Sequence, residues 1–333
     1  MNVHELFARV HLPFESTMPG FDGATGWLNA EPLMLDALSG KVVAVDFWTF
    51  TCVNWLRTLP YLRAWAATYA DKGLVVVGVH TPEFEVEHDL DNVRTAVRDM
   101  GIEYAVAIDN DYAIWNAFGN QYWPALYIAD AQGRIRHHHF GEGDDAKSEQ
   151  AIRHLLMDAG AVDLPPDLAA VEVRGIEVPS DWHNVRSGET YVGYARGEGF
   201  ASPEGAAYDE SRVYTAPSDL RLNEWALAGE WTVGREVAVS NATNGRVAFR
   251  FHARDLNLIL APPSKNTSVQ FCVSLDGQAP NDAHGLDADA EGNGVVRETR
   301  LYQLIRQNGL ITDRLFEIEF SDPAAGALCF TFG

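Results

Sequence analysis

Apolar and polar positions divide the first 160 residues into short strands and amphipathic helices. Val42–Trp48 and Leu74–Val79 are almost continuously apolar, as expected for strands that are covered on both faces of a sheet. Between them, residues 53 to 71 repeat apolar side chains every three or four positions, which predicts a helix with Pro60 inside it. Strands and helices continue to alternate as far as two final strands, which a hairpin turn at Gly133 connects. This order predicts an α/β domain with a mixed sheet flanked by helices.

The pattern changes after residue 159. Pro165-Pro166 and Pro179 indicate a linker over residues 160–187. From residue 188 onward, short apolar strands alternate with turns, which predicts an all-β sandwich or jelly-roll domain. The predicted domains are therefore an α/β domain at 1–159 and a β-domain at 188–333.

Composition and charge limit the classes of molecule that we expect the chain to bind. The chain has 25 Lys and Arg against 47 Asp and Glu, a net charge of −22, which argues against nucleic acid and anionic membranes as partners. No stretch approaches the roughly 18 apolar residues that a membrane span requires, and the N-terminus lacks the basic start and apolar run of a secretory leader. We expect a soluble, cytoplasmic protein, or an extracytoplasmic one if an upstream segment was removed.

Cys52 lies where the first apolar strand meets the first helix. A thiolate at a helix start is stabilised by unpaired backbone N–H groups and by the helix dipole. Aromatic residues, Trp48 and Trp55, flank it on both sides, and Thr51 precedes it directly. These features together predict a reactive thiol, with a small buried apolar residue as the alternative. The other two cysteines, on apolar strands of the β-domain, are predicted to be core residues.

The run VDFWTFTCVNW, residues 45–55, resembles the active-site segment of TlpA-type thioredoxin-like reductases. The resemblance implies that Asp46 is the buried acid beneath the active-site disulfide of that family. It also implies that Trp123-Pro124 is the family's cis-proline loop, which faces the reactive cysteine. Where the family has its second cysteine, this chain has Trp55.

The resemblance to DipZ-type proteins extends over nearly the whole chain. It is carried by GVHTPEF (78–84), DNDYAIWNAFGNQYWPALY (109–127), HHHFGEG (137–143), ETYVGYAR (189–196), RFHARDLNLIL (250–260), LYQLIRQ (301–307) and the terminal FTFG. It implies a thioredoxin-like domain followed by a carbohydrate-binding-module-like β-sandwich. By residue type alone, the candidates for sugar contact are Trp225, Trp231, Tyr194 and Tyr302. Aromatic residues of a β-domain more often belong to its core, which is the favoured interpretation.

Three functions remain open for a site with one cysteine. The first is monothiol exchange with a protein disulfide, in which an external thiol donor resolves the mixed disulfide that Cys52 forms. The second is a peroxiredoxin-like, antioxidant peroxidase, because Thr49 stands three residues before Cys52 and Arg57 is available to polarise a peroxide; the proline that precedes this Thr in such enzymes is absent. The third is a redox-inactive protein that binds a partner or a glycan, with Trp55 covering the site.

Two further groups of residues are weaker candidates. Glu83 lies in the loop after the second strand, at the sheet edge where α/β sites form, with a solvated loop acid as the equal alternative. His137-His138-His139 suggests metal binding, but neighbours on a strand point to opposite faces. Partly exposed strand histidines are therefore the favoured interpretation.

An acidic stretch in the β-domain has the spacing of a calcium loop. Asp287, Asp289, Glu291 and Glu298 stand at positions 1, 3, 5 and 12, with a glycine at position 6. The flanking segments read as strands and not as the two helices of an EF-hand. An acidic hairpin loop is therefore favoured, and no cofactor besides this candidate Ca²⁺ is predicted.

Overall fold

The computed structural model describes residues 12–333, and the chain divides into two compact units between Glu177 and Val178. That division lies inside the segment predicted as a linker. The first eleven residues, for which the sequence predicts no leader, lie outside the described part. No helix within residues 12–333 is long and apolar enough to cross a membrane.

The first unit is built on a seven-stranded mixed sheet. Its strands are β1 (Ser16–Thr17), β2 (Gly26–Leu28), β3 (Val42–Trp48), β4 (Leu74–His80), β5 (Ala105–Ile108), β6 (Ala125–Ala129) and β7 (Arg134–Phe140), in the order β1-β7-β6-β3-β4-β5-β2. β3, β4 and β5 are parallel, whereas β6 runs antiparallel to β3 and β7 antiparallel to β6. Every residue of β3 is buried, as its continuous apolar run predicts.

Within the described residues, four α-helices flank this sheet: α1 (Val53–Tyr69), α2 (Leu90–Asp99), α3 (Ala113–Phe118) and α4 (Asp145–Asp158). α1 begins directly after Cys52, whose extended backbone makes it the N-cap. Pro60 lies inside α1, and a short 3-10 turn ends at Gly73, which adopts a positive φ of 103°. The predicted α/β architecture is confirmed, and it sets the cysteine at the end of a central strand.

The segment after α4 packs on the first unit as far as its end. Arg153 of α4 donates hydrogen bonds to the backbone oxygens of Pro165 and Asp167, and the amide of Ala169 donates to Glu149. Farther along, the carboxylate of Glu177 pairs with Arg63 of α1. The first part of the predicted linker is therefore held by side chains of two helices.

The second unit is all-β, with every strand pair antiparallel. Its strands are β8 (Thr190–Tyr191), β9 (Ser211–Tyr214), β10 (Trp225–Val233), β11 (Ala238–Ser240), β12 (Gly245–Phe251), β13 (Asp255–Ala261), β14 (Val269–Leu275), β15 (Asn293–Val296), β16 (Arg300–Arg306), β17 (Arg314–Phe320) and β18 (Gly326–Phe332). The long strand β10 pairs with β12 along its first half and with β9 and β11 along its second half. Gly229, at a positive φ of 89°, lies where the partners change. The strands thus form one continuous hydrogen-bonded series that folds back on itself and makes two layers.

Aromatic side chains fill the space between these layers. Phe249 of β12 contacts Phe330 of β18 at 4.8 Å between ring centroids, and Trp231 of β10 contacts Phe320 of β17 at 6.1 Å. Three of the four residues considered for sugar contact, Trp225, Trp231 and Tyr302, belong to this core and are at most 2% exposed. The favoured interpretation, in which aromatic side chains of a β-domain fill its core, is thus confirmed at these three positions, and none of the three is exposed for sugar contact.

Candidate active site around Cys52

Cys52 lies at the tip of a short segment, residues 49–52, which we call the cysteine loop. Its amide donates to the carbonyl of Thr49 at 3.2 Å, and its own carbonyl accepts the first hydrogen bond of α1 from Leu56 at 3.0 Å. The side chain is half-buried, and Sγ lies 3.9 Å from the carbonyl oxygen of Trp123. The sulfur therefore combines a helix N-terminus with partial access from solvent.

The side chain of Trp55 points into the protein and does not lie over Cys52. It is fully buried, and its indole Nε1–H donates to Oδ2 of Asp46 at 2.8 Å. Its ring stacks on that of Trp48 with 4.2 Å between centroids and 21° between planes. The interpretation of Trp55 as a lid is therefore wrong: the indole takes up the space between the first turn of α1 and the sheet.

Asp46 is a buried acid beneath the cysteine loop, as the resemblance implies. Burial raises the pKa of its carboxyl to about 8, although the hydrogen bond from Trp55 acts in the opposite direction. Among residues 12–333, Trp55 is the one side chain that donates a hydrogen bond to Asp46. This environment therefore favours the protonated form of the carboxyl over the charged form.

His80, at the end of β4, completes the buried wall behind Trp48. Its ring lies 4.8 Å from that of Trp48 and stacks on Phe50 of the cysteine loop. Within the described residues, neither ring nitrogen has a hydrogen-bond partner, and burial lowers the pKa of the imidazole to about 3. His80 is therefore a neutral packing residue at this position.

A second buried acid, Glu87, lies on the other side of the cysteine loop, and sequence reasoning missed it. Its Oε1 accepts a hydrogen bond from Thr51 Oγ1 at 2.5 Å, and its Oε2 accepts from the amides of Glu83 and Phe84. Burial is the largest cause that raises the pKa of this carboxyl to about 7, followed by the charge of Glu83. Glu87 had no sequence signal of its own, because it follows Glu83 and Glu85 in a stretch that reads as a solvated acidic loop.

Glu83 itself is half-buried and joins the site through its backbone. Its amide is bound by Glu87, which in turn binds Thr51 next to Cys52. The expectation that the loop after β4 reaches the cysteine is thus matched by the geometry. The structure places the side chain of Glu87 against the cysteine loop.

The Trp123-Pro124 peptide is cis and faces Cys52. The indole Nε1–H of Trp123 donates to the carbonyl of Thr81 at 3.0 Å, and its ring lies 4.2 Å from that of Trp115 in α3. These two contacts hold Trp123 so that its backbone oxygen faces the sulfur of Cys52. A backbone carbonyl of the cis-proline bend therefore lies beside the thiol.

Arg57 is buried one turn into α1, where it pairs with Glu142 at 3.1 Å. Both side chains are less than 7% exposed, so the cation is neutralised within the protein. This arrangement gives Arg57 a structural partner and reduces its value as a group that polarises a peroxide.

The other predicted sites are not assembled. Arg300 lies between two of the calcium-loop residues, 2.6 Å from Asp287 and 3.2 Å from Glu298, while Asp289 accepts hydrogen bonds from Asn293. Glu291 lies in the same turn, and no group of three or more His, Cys, Asp or Glu within residues 12–333 is arranged to hold a metal ion. The hairpin interpretation of this acidic stretch is therefore favoured by the structure.

The histidines of β7 have separate partners within the first unit. His137 contacts Ser148, His138 contacts Glu15 and His139 contacts the backbone of Glu142. They are strand histidines, as favoured from the sequence.

The two remaining cysteines differ in exposure. Cys329 is fully buried on β18, as predicted, but Cys272 is exposed on β14. The expectation of a buried Cys272 is wrong because alternate residues of β14 face solvent. Both cysteines belong to the second unit.

Comparisons with known proteins agree with this geometry. The AhpC/TSA family matches residues 15–138, and the family described as thioredoxin like C-terminal domain matches residues 187–333. DipZ of Mycobacterium bovis is 38% identical over 266 residues, which cover 76% of this chain. The first unit has a thioredoxin-like fold, and the chain is similar to DipZ.

Shorter relatives match less than half of the chain. The thiol-disulfide oxidoreductase YkuV of Bacillus subtilis is 28% identical over 141 residues, which cover 42% of this chain and 95% of YkuV. A solution structure of a thioredoxin-like protein in the oxidized form is 30% identical and covers 43% of this chain and 96% of that one, with a TM-score of 0.40. The aligned region of this chain spans about a third (36%) of the length of the DipZ relatives.

Proposed function

We propose that the chain is a thiol-disulfide oxidoreductase that uses the single active-site thiol of Cys52. The observation that supports this best is the position of the sulfur. It lies at the N-terminus of α1, half-exposed, and 3.9 Å from the backbone oxygen of Trp123 in the cis-proline loop. Trp55, in place of the second thiol of two-cysteine reductases, is turned into the core and does not cover the half-buried Cys52.

The reaction proceeds through a mixed disulfide. The Cys52 thiolate attacks one sulfur of a protein disulfide; the Cys52–sulfur bond forms, the substrate disulfide breaks, and the second substrate sulfur leaves as a thiolate that takes a proton. An external thiol, as its thiolate, then attacks the substrate sulfur of the mixed disulfide and releases Cys52. The substrate sulfur is then joined to the donor, and a second donor thiolate attacks the donor sulfur of this disulfide and releases the substrate thiolate, which takes a proton. One substrate disulfide thus becomes two thiols, and two donor thiols become one disulfide. A cytoplasmic location, which stays a prediction, would provide such donors.

Two alternatives compete with this function. A one-cysteine peroxidase would use the same sulfur, and the AhpC/TSA match over the first unit favours it, but Arg57 is paired with Glu142. A redox-inactive protein would need a covered thiol, which the inward orientation of Trp55 opposes. Binding of carbohydrate by the second unit stays a prediction, now supported by Tyr194 alone, whose ring lies 4.7 Å from that of Tyr208.

A variant set tests the function. Cys272→Ser removes the exposed thiol and is expected to reduce insulin disulfides, with dithiothreitol as donor, at the wild-type rate. Adding Cys52→Ser should abolish the activity and the trapped mixed disulfide seen by mass spectrometry. Full insulin reduction without Cys52 would refute the proposal, and rapid consumption of hydrogen peroxide without disulfide exchange would favour the peroxidase.

A further inference from the structure

Three loops meet around the sulfur of Cys52. They are the cysteine loop (49–52), the loop after β4 (81–88), which we call the acidic loop, and the cis-proline loop (120–124). Cys52 Sγ faces the carbonyl of Trp123, and the indole of Trp123 donates to Thr81 at the start of the acidic loop. The remaining side of this circuit, between the acidic loop and the cysteine loop, is closed by the carboxyl of Glu87.

Glu87 is built to hold the two loops together. One carboxyl oxygen binds its own loop, through the amide of Glu83 at 2.6 Å and that of Phe84 at 3.0 Å. The other oxygen binds the hydroxyl of Thr51 across the gap at 2.5 Å. Glu87 and Thr51 are both fully buried, so water does not compete for these bonds.

Thr51 transmits this restraint to the reacting atom. It is the residue directly before Cys52, and its side chain is anchored while the Cys52 amide is bound to Thr49. With the residues on both sides of the loop fixed, the position of the sulfur is set before α1 begins. A displacement of about 1 Å at a reacting group can reduce a rate by about 100-fold.

We propose that Glu87 is a positioning residue for Cys52: through the hydroxyl of Thr51, it fixes the cysteine loop so that the sulfur meets a protein disulfide lying along the backbone of Trp123. This role deepens the proposed function and rests on it. It requires no contact between Glu87 and the substrate.

The test compares two reactions of the same sulfur. All variants carry Cys272→Ser, so that Cys52 is the accessible thiol, because Cys329 is fully buried. Exchange with insulin depends on how the sulfur is aimed at a docked disulfide. Alkylation by iodoacetamide at pH 9 depends mainly on access and thiolate formation, because a small probe approaches from many directions.

Thr51→Val removes the hydroxyl with little change in shape, whereas Thr51→Ser keeps it. We expect Thr51→Val to lower insulin exchange by about tenfold or more and to change alkylation by less than about twofold. Thr51→Ser should retain most of the exchange rate. Glu87→Gln should also lower the rate of insulin exchange, because the side-chain amide of Gln cannot accept hydrogen bonds from all three donors. This variant replaces Thr51→Val in the test if Thr51→Val does not fold.

Each outcome decides between clear alternatives. Equal loss in both reactions would assign Glu87 an electrostatic effect on the thiol, and unchanged exchange in a folded Thr51→Val would remove the positioning role; both overturn the inference. A lower melting temperature in Thr51→Val with the exchange rate intact would show a purely structural contact. An inactive Cys272→Ser parent would refute the proposed function as well, whereas an active parent with unaffected variants refutes the positioning role alone.

Discussion

Two buried carboxyls flank the cysteine loop, and the protein holds them in different ways. Asp46 lies under the start of α1 and accepts a hydrogen bond from the indole of Trp55. Glu87 lies behind the loop and accepts from a hydroxyl and two backbone amides. Burial raises the pKa of both, to about 8 for Asp46 and about 7 for Glu87.

The difference separates packing from loop positioning. Asp46 lies beside the stacked indoles of Trp48 and Trp55, so its hydrogen bond and the packing of this part of the core stabilise each other. Glu87 depends on polar groups of two loops, so its removal should disturb the loops more than the core. Changes on the Trp55 side should therefore affect mainly stability, and changes on the Thr51 side mainly reaction with protein disulfides.

The largest expected effect is that of Trp55→Ala. It removes a fully buried ring, its stack on Trp48 and the hydrogen bond to Asp46, and should lower the free energy of unfolding by about 3–5 kcal/mol. Chemical denaturation monitored by far-UV circular dichroism measures this. Trp182→Ala is the matched control, because Trp182 is 62% exposed; an equally small loss in both variants would contradict the packing role of Trp55.

Asp46→Asn should flatten the pH dependence of stability. The folded pKa of Asp46, about 8, lies above its value in the unfolded chain. The folded state therefore retains a proton that the unfolded state releases, and this contribution is complete at low pH and lost as pH rises through 8. Each unit of pKa difference corresponds to about 1.4 kcal/mol.

Thermal melting of wild type and Asp46→Asn from pH 5 to pH 9 measures this effect. The wild type should lose melting temperature over this range, and the variant should lose less. Asp36→Asn, at an exposed position, serves as the control and should follow the wild type. A variant slope as steep as that of the wild type would place the titrating group elsewhere.

A smaller effect is expected for Glu87→Gln. The amide leaves one donor of the acidic loop or Thr51 without an acceptor, which should cost about 1–3 kcal/mol. Because the folded pKa of Glu87 is raised to about 7, the wild type also loses stability as pH rises through 7, and Glu87→Gln should lack this component. If Glu87→Gln lowered the free energy of unfolding as much as Trp55→Ala does, the contrast between a loop-positioning role for Glu87 and a core-packing role for Trp55 would not hold.

The sequence alone determined the architecture and the position of the thiol. Continuous apolar runs such as Val42–Trp48 identify buried strands, because a strand that is covered on both faces has no exposed position. A helical period after Cys52 placed the cysteine at a helix start. The resemblance indicated Asp46 and the Trp123-Pro124 loop. The structure places the Trp123 carbonyl beside the sulfur and binds Asp46 to Trp55 in the first turn of the helix that follows Cys52.

Only the tertiary structure decided how these parts work together. The orientation of Trp55 depends on space between α1 and the sheet, which no local pattern encodes. The burial of Glu87 depends on the acidic loop folding over the cysteine loop, 36 residues away from Thr51 along the chain. An acidic stretch reads as solvated until distant donors are known, because burial of a carboxyl is decided by its partners and not by its own segment.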